Sequence, residues 1–84
     1  MKKVYDFYAD PGHGWLKVKL SELVKLNILH EISQYSYIRK DDVYLEEDCD
    51  LSVFMKAKGI DIKFREHHSN KSSKIRNYNR LMFV

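Results

Sequence analysis

Lys3-Val-Tyr-Asp-Phe-Tyr-Ala-Asp-Pro-Gly-His-Gly-Trp-Leu-Lys-Val-Lys-Leu20 is the stretch that decides the fold. Residues 3–9 carry the aromatic side chains that favour strands, with Tyr5 and Phe7 on one face and Val4 and Tyr8 on the other. Asp10-Pro11-Gly12-His13-Gly14 reads as a turn, because proline fixes one φ and each glycine permits φ > 0. Over residues 15–20, Leu16, Val18 and Leu20 alternate with Lys17 and Lys19, the period of a second strand. Two strands around a tight turn make a hairpin, so the chain opens as a sheet.

Outward from the hairpin, Ser21 is placed to cap a short helix, and Glu22 suits its positive end. Leu23, Val24 and Leu26 supply the apolar face. Asn27 can take the left-handed conformation that closes the helix, with Ile28 folding back on Leu23. Residues 28–35 permit one further short helical turn. Strands are expected at 36–40 and 43–47 around a turn at Asp41-Asp42. A second helix, Leu51 to Lys58, is expected to be capped by Asp48 or Asp50 and closed by Gly59, with Ile60 reaching Met55. Ile60, Ile62 and Phe64 alternate with Asp61, Lys63 and Arg65, which predicts a half-buried strand.

The order is thus β-β-α-β-β-α-β plus a tail. It predicts a small α+β domain with an antiparallel or mixed sheet, two short helices on one face and a basic C-terminal tail. The expected division is a core at 1–68 and a basic segment at 69–84, packed on the core or on a neighbour. Leu81-Met82-Phe83-Val84 is apolar enough for an edge strand.

Eighty-four residues suit one domain with a small core. With 44% hydrophobic and 32% charged residues, the chain is too apolar and too mixed in charge for disorder. The single cysteine, Cys49, rules out an intrachain disulfide and is expected as a small buried apolar residue. The first residues lack the apolar run of a signal peptide, and no stretch approaches 18 apolar residues. The expectation is a cytoplasmic protein with no membrane partner. Charge is uneven. Residues 1–62 hold nine Lys and Arg against eleven Asp and Glu, whereas residues 63–84 hold six against one. A near-neutral body carries a basic end.

Three constellations are candidates for function. His13 lies between two glycines and beside Trp15, exposed enough to meet a ligand; the competing reading is a plain hairpin turn with Trp15 covering core. Glu46, Glu47, Asp48 and Asp50 cluster around Cys49. Such carboxylates can bind a cation, or simply end a strand and favour a helix N-terminus. Lys63, Arg65, His67, His68, Lys71, Lys74, Arg76 and Arg80 interleave with Tyr78, a pattern suited to a phosphate backbone and stacked bases. The competing reading packs this segment against the 46–50 carboxylates.

Phe7 to Leu16, Tyr44 to Asp50, and Phe64 to Asn70 leading to Ile75-Arg76 resemble a family of small, mostly uncharacterised proteins encoded by bacteriophages and plasmids. The resemblance spans most of the chain. It implies a mobile-element origin and a compact single domain, and no activity. Phage proteins of this size are often inhibitors of host defence, including anti-CRISPR proteins, and gene context of that kind is an association rather than a property of these residues.

The expectation is therefore a binding protein without catalysis or cofactor. It would act on nucleic acid or a host protein through the basic segment, together with His13 and Trp15. Two alternatives stand beside it. One is a metal-dependent hydrolase or nuclease using His13, the 46–50 carboxylates and His67 or His68. The other is a homodimeric scaffold paired through Leu81–Val84.

Overall fold

The computed structural model describes residues 3–59 and 62–81. In chain order the elements are β1 (Val4–Ala9), β2 (Gly14–Lys19), α1 (Leu20–Lys25), a 3-10 turn (Leu29–Glu31), β3 (Tyr37–Arg39), β4 (Asp42–Glu46), α2 (Leu51–Lys58), β5 (Lys63–His68), a second 3-10 turn (Lys74–Asn77) and β6 (Asn79–Arg80). The strands form one mixed sheet in the order β5-β1-β2-β4-β3-β6. β1 and β5 run parallel, and the other pairs are antiparallel. The α+β class and the order of the first seven strands and helices are as the sequence predicts. No helix among the described residues is long and apolar enough to cross a membrane.

Alternation sorts the sheet into two faces. Tyr5, Phe7, Leu16, Val18, Val43 and Leu45 point to one side and form a single core with Leu23 of α1 and Phe54 of α2. Both helices therefore cover the same face. Trp15, Tyr37 and Tyr44 point to the other side, where Ile75 from the second 3-10 turn caps them and Tyr8 and Tyr78 pack alongside. Because β5 and β6 lie at opposite edges, residues 69–78 cross this second face as a strap. Ile75 and Leu81 are both buried, so the basic segment belongs to the folded body.

Local signals explain where several elements stop. Asn27 has φ +58°, its N–H donates to the Val24 carbonyl and the Ile28 N–H donates to the Leu23 carbonyl. These two bonds are the Schellman closure that Asn permits at low strain. Gly59, at φ +97°, ends α2 with its N–H on the Met55 carbonyl. Among the described glycines it alone has a positive φ. Gly12 and Gly14 do not use that freedom. Gly14 is needed for space, since a Cβ there would sit 2.5 Å from Cζ of buried Phe7. Gly14→Ala is expected to lower stability by about 1–2 kcal/mol through overpacking. A urea midpoint equal to wild type would refute this.

Other expectations are corrected. α1 begins at Leu20 behind Lys19, which makes no side-chain cap, and Ser21 lies inside the helix. Val24 is exposed rather than part of the apolar face. Glu22 lies in the first turn of α1 as expected, and its carboxylate also accepts from the Tyr5 hydroxyl at 2.6 Å and pairs with Lys58 at 2.9 Å. Asp50 precedes α2 without capping it, because its carboxylate is committed elsewhere. The β3–β4 turn centres on Lys40-Asp41, with Lys40 at φ +57°. The strand read over 60–65 runs over Lys63–His68 instead, and all six residues are exposed because β5 is an edge strand. Phe64 still stacks on Phe7 with ring centroids 5.9 Å apart. Ile60, Asp61 and Met82–Val84, and with them the Ile60–Met55 contact and the 81–84 edge strand, lie outside the described residues. Leu81 itself is buried in the core of its own chain.

Candidate functional site

One carboxylate fastens the strap. The Asp10 side chain is fully buried and faces five donors. Oδ1 accepts from the N–H groups of Gly12 at 3.0 Å and His13 at 2.9 Å, and from Arg76 Nη2 at 2.9 Å. Oδ2 accepts from Arg76 Nε at 2.7 Å and from the Ser73 N–H at 2.8 Å. The Arg76 guanidinium holds the Asp10 carboxyl well below the usual range. Burial opposes the shift, and the Ser73, His13 and Gly12 N–H groups reinforce it. Three guanidinium–ring contacts add to the hold: Arg76 on Trp15 at 5.4 Å, Arg80 on Tyr37 at 4.8 Å and Arg39 on Tyr78 at 5.5 Å.

The basic segment divides accordingly. Arg76 is an anchor. Arg65 Nε donates to Asp6 Oδ1 at 2.8 Å, and His67 Nε2 lies 2.9 Å from the same oxygen while its ring stacks on Tyr8 at 4.7 Å. Arg65 and then His67 lower the Asp6 pKa to about 2, against the opposing effect of burial. His68 points to the opposite face of β5, with Nε2 3.5 Å from Glu66. Lys63, Lys71, Lys74 and Arg80 are exposed and have no carboxylate partner among the described residues. The pairing of this segment with the 46–50 carboxylates is not found: Arg65 and Arg76 use Asp6 and Asp10 instead. Arg39 was not singled out by sequence, yet the β3 register sets it on the same face beside Tyr78.

A cleft of about 380 Å³ opens between the hairpin turn, the end of β4 and the strap. His13, Trp15, Glu46, Asp48 and Arg80 are among the side chains on its wall. Pairing of β2 with β4 brings Trp15 opposite Glu46, which carries the 10–14 turn to the acidic stretch. Glu46 is buried. Its Oε2 accepts from the N–H groups of Asp48 and Cys49, both at 2.9 Å, and Oε1 lies 3.6 Å from His13 Nδ1. One donor atom each from His13, Glu46 and Asp48 falls within 4.8 Å of the others.

Three other members of the expected metal set go elsewhere. His67 and His68 sit on β5, and Asp50 accepts from Ser33 and Ser36. Cys49 is exposed rather than buried, because the loop before α2 turns it outward. Its thiol pKa is raised, first by its hydrogen bond to Glu46, then by burial and the charges of Glu46, Asp50 and Asp48. A thiol held protonated in this way is a poor nucleophile.

Comparison with known proteins returns no match to a family model, a curated protein or a solved structure.

Proposed function

We propose that this is a binding protein without catalysis, which holds the phosphate backbone of a nucleic acid along the strapped face of its sheet. The observation that carries the reading is the division within the basic segment. Arg65 and Arg76 are matched by Asp6 and Asp10, while Lys63, Lys71, Lys74 and Arg80 face solvent. A strap already fixed by Asp10 displays Lys71, Lys74 and Arg80 with little ordering left to do on binding. The exposed His67 ring, stacked on Tyr8, and Arg39 beside Tyr78 add surfaces on which bases can stack. Origin in a mobile element is part of the proposal, supported by the resemblance of the three sequence stretches; a host defence component as the system acted upon is added to it by association with phage proteins of this size.

Four phosphate contacts on a single strand give a logarithmic salt slope of about −3, so affinity should fall roughly 50-fold between about 50 and 200 mM salt. Changing Lys63, Lys71, Lys74 and Arg80 together to Gln should remove that dependence. Fluorescence anisotropy with a labelled oligonucleotide measures both. Absence of binding at the lower salt would eliminate nucleic acid and leave an acidic protein surface as the partner to test by pull-down.

A further inference from the structure

We propose that His13, Glu46 and Asp48 form a site for one divalent transition-metal ion, best suited to Zn²⁺, at the mouth of the cleft. The three donors come from separate positions, the hairpin turn, the end of β4 and the loop after it, and converge through the β2–β4 pairing. Zinc bonds to nitrogen and oxygen at about 2.0–2.1 Å in a tetrahedron, which separates neighbouring donors by about 3.4 Å. His13 Nδ1 and Glu46 Oε1 stand 3.6 Å apart, close to that edge length before any ion is added. Asp48 is exposed on a loop, with one carboxylate oxygen within 4.8 Å of both other donors.

Glu46 is the fixed member. Its Oε2 is taken by two backbone N–H groups, which leaves Oε1 turned toward His13. An oriented carboxylate of this kind resembles the outer hydrogen bonding that sets metal ligands elsewhere. Charge also favours a cation. Arg76 on the cleft wall is already matched by Asp10, which leaves Arg80 as the one other Lys or Arg among the described residues lining the cleft, against the carboxylates of Glu46 and Asp48. One imidazole with two carboxylates suits zinc or a neighbouring first-row ion better than Ca²⁺ or Mg²⁺, which prefer all-oxygen sets.

A second observation is independent of these donors. Trp15 lines the same cleft, is only 2% exposed, and its buried Nε1 has no hydrogen-bond partner among the described residues. A buried indole N–H calls for an acceptor. Three protein ligands leave a tetrahedral ion one open position, and a water or anion held there is an acceptor of the kind Trp15 lacks.

Zn²⁺ titrated calorimetrically into the chelator-treated full chain tests the site. The expected result is one ion per chain, with His13→Ala and Asp48→Asn each weakening it about tenfold or more, and His67→Ala and His68→Ala leaving it unchanged. His13 and Asp48 are exposed, so both variants should keep the wild-type circular dichroism spectrum. The His13 ring resonances of the wild-type protein should also shift on saturation, a readout that needs no variant. No uptake by the wild type overturns the proposal. So does uptake that neither His13→Ala nor Asp48→Asn weakens, or that leaves the His13 resonances in place.

Discussion

Asp10→Ala is expected to lower stability by about 3 kcal/mol, which for a domain of this size shifts the melting midpoint by on the order of 15 °C. The carboxylate is fully buried and takes donors from both the hairpin turn and the strap. Its removal leaves the N–H groups of Gly12, His13 and Ser73 without their acceptor and the Arg76 guanidinium without its counter-charge. Asp10→Asn should not rescue the loss. An amide replaces one of the two oxygens with donors, and every group facing Asp10 is itself a donor. Acid provides the second axis of the experiment. The folded-state pKa of Asp10 lies below the unfolded value of about 3.9, so its contribution is fully present above that value and is lost as pH falls toward the folded one. The gap between wild type and Asp10→Ala should thus be flat at neutral pH and narrow below about pH 4. Thermal melts across that range measure it. A gap that stays constant down to strong acid would show that the loss comes from packing and not from the ionised carboxylate.

The second large effect is expected at Asp50, where Asp50→Ala should cost about 2–4 kcal/mol. Asp50 is buried. Oδ1 accepts from the Ser33 N–H at 2.9 Å, and Oδ2 accepts from the hydroxyls of Ser33 and Ser36. Ser36 in turn links four elements. It stands just before β3, its Oγ accepts from the Glu46 N–H at the end of β4, and its carbonyl accepts from the Leu81 N–H after β6. Alanine at 50 strands two hydroxyls and one N–H in a closed space beside the start of α2. Asp50→Asn keeps one oxygen and should recover part of the loss. Urea unfolding of the two variants gives the comparison. Equal midpoints for alanine and wild type would mean that the serines find other partners, and the linking role would be withdrawn.

Short-range chemistry was legible in the sequence. Alternation over 4–9 and 15–19 gave the hairpin and its inward face, Asn27 and Gly59 marked the helix ends, and the limits of α2 are those expected. What could not be read is pairing at a distance. The amphipathic pattern of 60–65 predicts half-burial, but burial depends on neighbours, and among the described residues β5 has a strand on one side only. Asp10 reads as a turn residue, which it is; that it also receives Arg76 from 66 positions away leaves no trace in either local sequence. Asp50 reads as a helix cap because Asp before an apolar run usually is one. Two serines 14 and 17 residues upstream claimed its oxygens instead. In the cleft, sequence joins His13 to the whole acidic stretch and to His67 or His68 as one alternative, without telling which of them meet. Only the register that sets Trp15 opposite Glu46 selects Glu46 and Asp48 from that stretch and sets Asp50, His67 and His68 aside.

The outer margin of β5 offers a row of backbone donors and acceptors with no neighbouring strand among the described residues, the usual seed for open-ended stacking of one chain on the next. Lys63, Arg65, Glu66, His67 and His68 occupy five of its six positions, and hydrated charge at that density makes the addition of a further strand unfavourable. These side chains keep the molecules apart, and exchanging them for apolar residues would therefore invite aggregation.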